Sequence, residues 1–549
     1  MRAPTVPTMP GAPWWDSAVV YQIYPRSFAD ATGDGVGDLP GLTAHLDHLA
    51  WLGVDAIWLT PHYPSPNADF GYDVADLCDV DPVFGTIDDF GALVAAAHER
   101  DLRVVIDHVP NHTSIEHPWF VASRSGRDDP KRDWYWWRDG SADGGPPTNW
   151  RATFTGEHRW ERDADGQLRP TWVAPPSEGA ATSAWTFDDA SAQWYLHTFL
   201  PEQPDLNWRN PEVADAMLDV LRFWLARGVD GFRVDALRTM GKPERFVDLP
   251  PERVARPQAA LDDLGRVDEA IAAMRRTVAE GGGEPMLIGE MHGDGPDAIV
   301  RHVGDGLLTG AFDFPLMYEP WDRDAWRAQV TAVVAATGAR PDARLSWVLS
   351  NHDEPRVAER YGSEARARAA LVAVLTLPGS AFLYQGDELG LRDAVVPPDR
   401  VVDPGGRDGC RAPIPWTAGE RHGWPADPWL PFPANASGHD VATQRADPGS
   451  TLRLCRRVLR LRRSEPALRL GGFGWVDAEA PVLAWRREAA GRAPGRALLV
   501  VAVNFRPEPA RLEGHDGWVV AASSTDPVDH RRFAGTLGGD EAVVLRPAP

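Results

Sequence analysis

The stretch GFRVDA, residues Gly231 to Ala236, is the best guide to the fold of this 549-residue chain. It is a short apolar strand that ends in a carboxylate, and the same plan recurs from Val19 to about Tyr384: a short apolar run, a polar loop, then a segment with helical spacing of apolar residues. Eight βα units of this kind predict a closed (β/α)₈ TIM barrel, an α/β fold. The eight predicted strands are Val19–Tyr24, Ala56–Leu59, Arg103–Val109, Gly231–Val234, Met286–Glu290, Gly310–Phe314, Leu345–Leu349 and Ala381–Tyr384.

Two regions depart from the βα period. The interval between the third and fourth strands is far longer than a normal crossover and is rich in Trp, Asp, Gly and Pro. We predict an inserted subdomain over 111–184, with 1–110 and 185–465 forming the barrel. Near the end, short alternating runs such as ALLVVAVNF replace the βα plan and predict a C-terminal all-β domain, a β-sandwich, over 466–549.

The bulk composition excludes several classes of protein. A hydrophobic content of 43% excludes a disordered chain, and a net charge of −23 makes nucleic acid an unfavourable partner. Three cysteines offer no disulfide framework. No apolar run is long enough for a membrane span or a signal peptide, so we expect a cytoplasmic protein without a membrane partner. It is expected to be a monomer or a homodimer.

Three carboxylates follow directly after predicted strands, namely Asp235, Glu290 and Asp353. Each one alone could be a helix cap, but the C-terminal strand ends of a barrel converge on one face. Arg233 precedes Asp235 by two residues on the same strand face, and His352 precedes Asp353. Such a set suits glycoside hydrolysis, which needs one carboxylate nucleophile and one protonated carboxyl. We expect Arg233 to lower the pKa of Asp235 and keep it ionised.

Five segments in order support this reading: DHVPNH (Asp107–His112), QPDLN (Gln203–Asn207), GFRVDA, IGE (Ile288–Glu290) and SNHD (Ser350–Asp353). They resemble the ordered motifs of the α-amylase superfamily, glycoside hydrolase family thirteen, and of its α-glucosidase and oligo-1,6-glucosidase branch. The resemblance covers nearly the whole chain. It implies a retaining double displacement on a small α-glucoside.

The resemblance also implies residue roles. Asp235 matches the nucleophile, Glu290 the general acid/base and Asp353 the carboxylate that stabilises the transition state. Asp73 with Arg407 matches the clamp on the terminal glucose. The remaining sugar-binding groups that match are His112, Arg233 and His352. Phe154 and Trp185 could stack on sugar, although ordinary packing is at least as good an explanation for both.

The segment DATGDGVGD has oxygen ligands at alternate positions: Asp30, Thr32, Asp34, the carbonyl of Val36, and Asp38. Gly41 stands where an EF-hand would need its bidentate glutamate, so an EF-hand is excluded. The loop resembles the structural Ca²⁺ or Mg²⁺ site of the α-glucosidase branch. An acidic turn without an ion is the alternative. No organic cofactor is expected.

Ala236, next to the predicted nucleophile, bears on linkage. In the branch that the chain resembles, Val at this position accompanies α-1,6 preference and smaller residues accompany α-1,4 preference. We therefore expect an exo-acting α-glucosidase that cleaves α-1,4-linked glucose, with possible transglucosylation. The alternatives are an oligo-1,6-glucosidase, a trehalose synthase or sucrose-active relative, and a non-catalytic carbohydrate-binding or scaffold homologue.

Overall fold

A computed structural model of the chain describes residues 12–153, 157–173, 183–254, 267–291, 295–340, 342–489, 498–527 and 531–548. Eight parallel strands close into a barrel in their chain order, and the last strand pairs with the first through Val19 and Ala381. The predicted (β/α)₈ barrel is confirmed, and each predicted strand ends within one residue of an observed one. The strands are β1 (Val19–Ile23), β2 (Ala56–Leu59), β3 (Arg103–His108), β4 (Gly231–Val234), β5 (Met286–Gly289), β6 (Gly310–Asp313), β7 (Leu345–Val348) and β8 (Ala381–Tyr384).

Helices surround the barrel and extend into the flanking regions. Helix α3 shows why they begin where they do: Thr86 accepts from the Asp89 amide, and the Asp89 carboxylate accepts from the Thr86 amide, which is a capping box. The helices are α1 (Leu39–Ala44), α2 (Leu46–Leu52), α3 (Ile87–His98), α4 (Pro118–Ser125), α5 (Pro211–Leu225), α6 (Pro251–Val254), α7 (Val267–Glu280), α8 (Pro296–Ile299), α9 (Pro315–Tyr318), α10 (Arg323–Ala339), α11 (Val357–Arg360), α12 (Glu364–Thr376), α13 (Val441–Ala446), α14 (Thr451–Ser464) and α15 (Pro466–Leu470). Among the described residues, no helix is long and apolar enough to cross a membrane.

Side chains inside the barrel form their own apolar cluster. Strand residues two apart point to the same side, so alternate positions such as Val20, Trp58, Ile288 and Phe382 fill the interior. The intervening strand residues pack outward against the helices in the main core. Side chains therefore fill the barrel interior, and a substrate-binding site must lie at one end of the barrel.

The inserted region ends later than predicted. Trp185–Asp188, which we expected to begin the second part of the barrel, pairs antiparallel with Gln193–Leu196. These two strands and Trp137–Arg138 form a three-stranded sheet that belongs to the insertion. The chain returns to the barrel with α5 at Pro211. A second element of the insertion is the hairpin of Glu157–Arg162 with Leu168–Val173.

The C-terminal domain is all-β, as predicted, and its first strand begins at Gly472. Apolar residues on one face pack against the small ribbon, and those on the other face join the main core beside α12 and α14. The five-stranded antiparallel sheet has the order Gly472–Val476, Val482–Glu488, Leu498–Asn504, Ala542–Arg546 and Val519–Ser523, and the ribbon pairs Ala510–Arg511 with Thr536–Leu537.

Candidate active site

Arg233, in β4, is the centre of the site. Its buried guanidinium lies 2.7 Å from the Asp235 carboxylate and 2.8 Å from that of Glu290. It also forms an ion pair with Asp107, near the end of β3. Because β4 lies between β3 and β5, the C-terminal ends of three neighbouring strands bring their charged groups to one cation. The structure thus brings together Arg233, Asp235 and Glu290, which the sequence places at neighbouring strand ends, and adds Asp107 to them.

Burial favours the protonated forms of Asp235 and Asp107 in this cluster. Burial raises the pKa of Asp235 well above its usual value; Arg233 opposes this, while Glu290 and Asp107 raise it further. Burial also raises the pKa of Asp107 to about 6. We expected Arg233 to lower the pKa of Asp235; burial and the two neighbouring carboxylates outweigh it. Burial and the neighbouring carboxylates therefore favour the protonated form of Asp235 in the substrate-free site.

Asp353, in the loop after β7, is the centre of a second charged cluster. Its carboxylate lies 2.9 Å from Nη1 of Arg407 and 3.2 Å from Nη2 of Arg411, and both arginines also bind Asp403. Burial lowers the pKa of His352 to about 3, so this ring is uncharged near neutral pH. Burial tends to raise the pKa of Asp353, but the cationic surroundings hold it well below its usual value. This carboxylate is ionised, whereas burial favours the protonated form of Asp235.

Tyr72 lies between the two predicted histidines. The His352 ring stacks on it with centroids 5.4 Å apart, and Nε2 of His352 lies 2.7 Å from the Tyr72 hydroxyl. Nδ1 of His352 accepts from the Gln22 amide at 2.7 Å. On the other side, Nε2 of His112 lies 3.1 Å from both the Tyr72 carbonyl oxygen and the Gln203 side-chain amide. The site therefore has a neutral, hydrogen-bonding wall beside its charged groups.

The carboxylate that meets Arg407 is Asp69, which corrects our assignment of Asp73. Asp73 accepts from the Ser65 hydroxyl at 2.7 Å and from the backbone amides of Ala68 and Asp69 at 2.8 and 3.0 Å. These bonds turn its carboxylate into its own loop. Asp69, four residues earlier, places Oδ1 2.5 Å from Nη2 of Arg407.

Ala236 sits in the left-handed region, with a φ of 43°. This conformation turns its backbone amide toward Glu290, whose Oε2 accepts from it at 2.9 Å. Non-glycine residues adopt this region at an energetic cost, and a β-branched side chain does so at a larger one. The residue type at this position thus bears directly on the placement of Glu290.

The two aromatic residues proposed for stacking have different outcomes. Trp185 is buried in a cluster with Trp136 and Trp150 inside the insertion, so it packs and does not offer a face to sugar. Phe154 lies outside the described residues. A different tryptophan, Trp160, reaches the barrel from the hairpin of the insertion.

Trp160 joins the hairpin to the rim of the barrel. Its ring stacks on Tyr318 with centroids 6.2 Å apart, and its Nε1 donates to Glu354 at 3.1 Å. The Tyr318 hydroxyl donates to the other oxygen of Glu354 at 2.8 Å. Glu354 directly follows Asp353, so this contact links the insertion to the second charged cluster.

The predicted metal loop is held in shape by its own carboxylates. Asp30 accepts from the amides of Gly33 and Gly35 at 2.6 and 2.9 Å, and Asp38 caps α1 by accepting from Gly41. Asp34 accepts from the Val36 amide. Across the described ranges, no three His, Cys, Asp or Glu side chains are grouped so that they could hold a metal. The ion at this loop stays a prediction.

Sequence reasoning missed several residues of the site. Asp107 was quoted within a motif but given no role; its signal was a carboxylate inside an apolar strand, which needs a buried partner. Asp69 directly precedes FGYDV and Tyr72 lies within it, while Asp403 and Arg411 lie three residues before and two residues after GRDG. Nothing in those spacings shows which side chains turn toward the barrel end.

Comparison with known proteins agrees with this geometry. The pattern described as the alpha amylase catalytic domain matches residues 22–471. A probable alpha-glucosidase of Rhizobium meliloti (strain 1021) is 39% identical over 511 residues, which is 87% of this chain and 88% of the relative. Two solved structures match over their whole length. The alpha-glucosyl transfer enzyme XgtA has a TM-score of 0.84 and 37% sequence identity, and the match covers 97% of this chain. The trehalulose synthase MutB from Pseudomonas mesoacidophila MX-45 has a TM-score of 0.86 and 32% sequence identity, and the match covers 98% of this chain. The chain therefore belongs to the α-amylase family of glycoside hydrolases.

Proposed function

We propose that this enzyme is a retaining, exo-acting α-glucosidase that releases terminal α-1,4-linked glucose from maltose and short α-glucosides. The alpha-glucosidase relative supports the substrate class. The double displacement is supported by Asp235 and Glu290, which contact the two terminal nitrogens of one guanidinium. Retaining enzymes need their two carboxyls about 5–5.5 Å apart, and a shared guanidinium is suited to holding two carboxyls near each other.

The chemistry follows from the two carboxyls. Asp235 attacks the anomeric carbon as the bond to the leaving oxygen breaks, and Glu290 gives that oxygen its proton. The product is a glucosyl ester of Asp235 and a free sugar. Glu290, now ionised, takes a proton from water as the water oxygen attacks the anomeric carbon and the ester bond to Asp235 breaks, which releases glucose and restores both carboxyls. Arg233 forms ion pairs with both carboxyls and so stabilises the negative charge on whichever of them is ionised.

The observation that carries exo action is the ion-pair network of Arg407. This guanidinium joins Asp69, Asp353 and Asp403, which come from three distant parts of the chain. A bidentate cation fixed among carboxylates is suited to holding hydroxyls of one terminal sugar. It also closes the pocket behind that sugar, which disfavours attack in mid-chain.

Glucosyl transfer is the second candidate function. XgtA is an alpha-glucosyl transfer enzyme and MutB a trehalulose synthase, and both share the architecture over nearly the whole chain. In transfer, a sugar hydroxyl replaces water in the second step, with the same role for Glu290. The hairpin that bears Trp160 contacts Glu354 and Tyr318 at the rim, where we expect such an acceptor to enter.

Product analysis tests the two candidates. The enzyme is incubated with maltose, isomaltose, sucrose and trehalose, and the products are separated at early time points. The proposal predicts α-glucose as the first product of maltose, with maltose preferred over isomaltose. Dominant sucrose isomerisation or trehalose formation would refute the α-glucosidase assignment. Asp235→Asn is the inactive control.

A structural Ca²⁺ or Mg²⁺ at Asp30, Thr32, Asp34, Val36 and Asp38 is part of the proposal, and thermal unfolding tests it. We expect Ca²⁺ to raise the Tm of metal-depleted enzyme by a few degrees, and Asp30→Asn with Asp34→Asn to remove the effect. An unchanged Tm would refute the site.

We also propose a cytoplasmic location. It is supported by the three free cysteines, and cell fractionation tests it.

A further inference from the structure

A cavity lies at the end of the barrel opposite the catalytic carboxyls. Its lining includes Leu345, the first residue of β7, and Gly379, which precedes β8, so it opens at the N-terminal strand ends. The other walls come from α10, from the end of α15 and from Arg487 of the C-terminal domain. A water-sized sphere can enter about 50 Å³ of it, and its mouth is open to solvent. No step of the proposed catalysis uses it.

Positive charge dominates this cavity, although the chain as a whole carries −23. Arg344, Arg469 and Arg487 line it, and Asp16 is the one carboxylate in the lining. Asp16 is already paired with Arg344. A fourth guanidinium, that of buried Arg462, donates to the carbonyl oxygen of Gly379 in the cavity wall.

The two buried guanidiniums are bound to backbone oxygens. Arg487 donates to the carbonyls of Thr376 and Gly471 at 2.6 and 3.0 Å, and Arg462 donates to that of Leu375 at 2.8 Å. Thr376 and Leu375 close α12, whose C-terminus offers roughly half a negative charge. That is too little to balance two full cations. Burial and the neighbouring Arg462 accordingly lower the pKa of Arg487.

Arg469 is the cation best placed to take a ligand. It is partly exposed and, among the described residues, donates a single hydrogen bond, to Oγ of Ser17 at 3.3 Å. A guanidinium has five N–H donors in a planar fork, so Arg469 keeps donors for a ligand. That fork fits two oxygens of a tetrahedral oxyanion.

We propose that this cavity is a binding site for a phosphate group, either the free ion or a phosphate monoester. Arg469 would hold two of its oxygens at the mouth. The charges of Arg487 and Arg462 would favour a dianion over chloride. A bound dianion would also join the barrel to the C-terminal domain, because Arg487 belongs to that domain and Arg344 to the barrel.

Isothermal titration calorimetry on the full chain tests this, with inorganic phosphate and methyl phosphate as probes at constant ionic strength. We expect saturable binding of at least one probe. Arg469→Gln should weaken it by at least about tenfold, and Arg469→Lys, which keeps the charge but loses the fork, by less. Arg460→Gln, an exposed site on α14, is the matched control and should bind like wild type. Binding of both probes identifies monoesters as ligands, and binding of inorganic phosphate alone identifies the free ion.

Two results would overturn the proposal: heats no larger than those with sodium chloride, or equal phosphate affinity in Arg469→Gln and wild type. The Tm of each variant is measured to show that it is folded. Maltose hydrolysis should be retained in Arg469→Gln, so failure here is distinguishable from failure of the α-glucosidase assignment.

Discussion

Asp69 and Arg407 meet at 2.5 Å although 338 residues separate them in the chain. The contact joins the loop after β2 to the loop after β8 and fixes the guanidinium that also binds Asp353. Exo action, as proposed, depends on this ion pair.

Asp69→Ala should lower kcat/KM for maltose by about 10²-fold, because a charge-assisted hydrogen bond to a buried guanidinium contributes about 1.5–3 kcal/mol. Asp73→Ala is the matched control. It leaves the amides of Ala68 and Asp69 without an acceptor and should lower the free energy of unfolding by about 1–3 kcal/mol, with a smaller effect on kcat/KM. Kinetics and chemical denaturation of both variants check this. The reverse pattern would restore Asp73 as the clamp.

Asp235→Asn should reduce kcat by at least about 10⁴-fold, since no nucleophile remains. Glu290→Gln should also fail on maltose, but it should form the glucosyl ester from 4-nitrophenyl α-glucoside, whose leaving group needs no proton. A burst of 4-nitrophenol followed by slow turnover is the expected observation. Equal losses on both substrates would argue against Glu290 as the acid.

The sequence predicted the barrel strands well, but it predicted the end of the insertion and some site residues poorly, because these depend on pairing and side-chain direction. Barrel strands such as β2 and β8 were predicted to the residue because each is a short uninterrupted apolar run, as is typical of a buried parallel strand. The end of the insertion was missed because Trp185–Asp188 is equally apolar, and only its antiparallel partner Gln193–Leu196 shows where it belongs. Asp69 was missed because Asp69 and Asp73 are carboxylates in the same loop, and the sequence does not show which of the two side chains points toward Arg407.

Ala236→Val should raise the ratio of kcat/KM for isomaltose to that for maltose, since a branched side chain beside Asp235 obstructs an α-1,4-linked neighbour. It should also cost about 1–3 kcal/mol of stability, because Ala236 has a φ of 43°. Ala236→Gly, which relieves the strain, should be at least as stable as wild type, with an unchanged ratio. An unchanged ratio in the Val variant would remove Ala236 from the linkage argument.

Trp160→Ala should raise KM for maltose more than KM for 4-nitrophenyl α-glucoside, because it releases the hairpin from Glu354 at the rim where we expect the second sugar to bind. Trp160→Phe keeps the stacking on Tyr318 but loses the hydrogen bond, so its effect should be intermediate. The ratio of transfer to hydrolysis should fall in the same order. If both substrates respond equally, the hairpin has no part in binding the second sugar.

His62 makes the enzyme less stable in mild acid. Its ring packs between Phe90 and Trp224, and neither ring nitrogen has a hydrogen-bond partner among the described residues. Burial lowers its pKa to about 3, so the folded chain keeps it neutral while the unfolded chain takes up a proton below about pH 6.5. Stability is therefore lost as the pH falls through 6.5, at about 1.4 kcal/mol per pH unit.

His62→Phe removes this proton uptake. Between pH 7.5 and 5, wild type should lose about 2 kcal/mol more unfolding free energy than the variant, and other titrating groups cancel in the comparison. His62→Asn, which is smaller and also does not ionise, should show the same pH dependence even if its packing is poorer. Urea denaturation at a series of pH values measures the difference. Parallel curves for wild type and both variants would mean that the His62 ring is protonated in the folded protein.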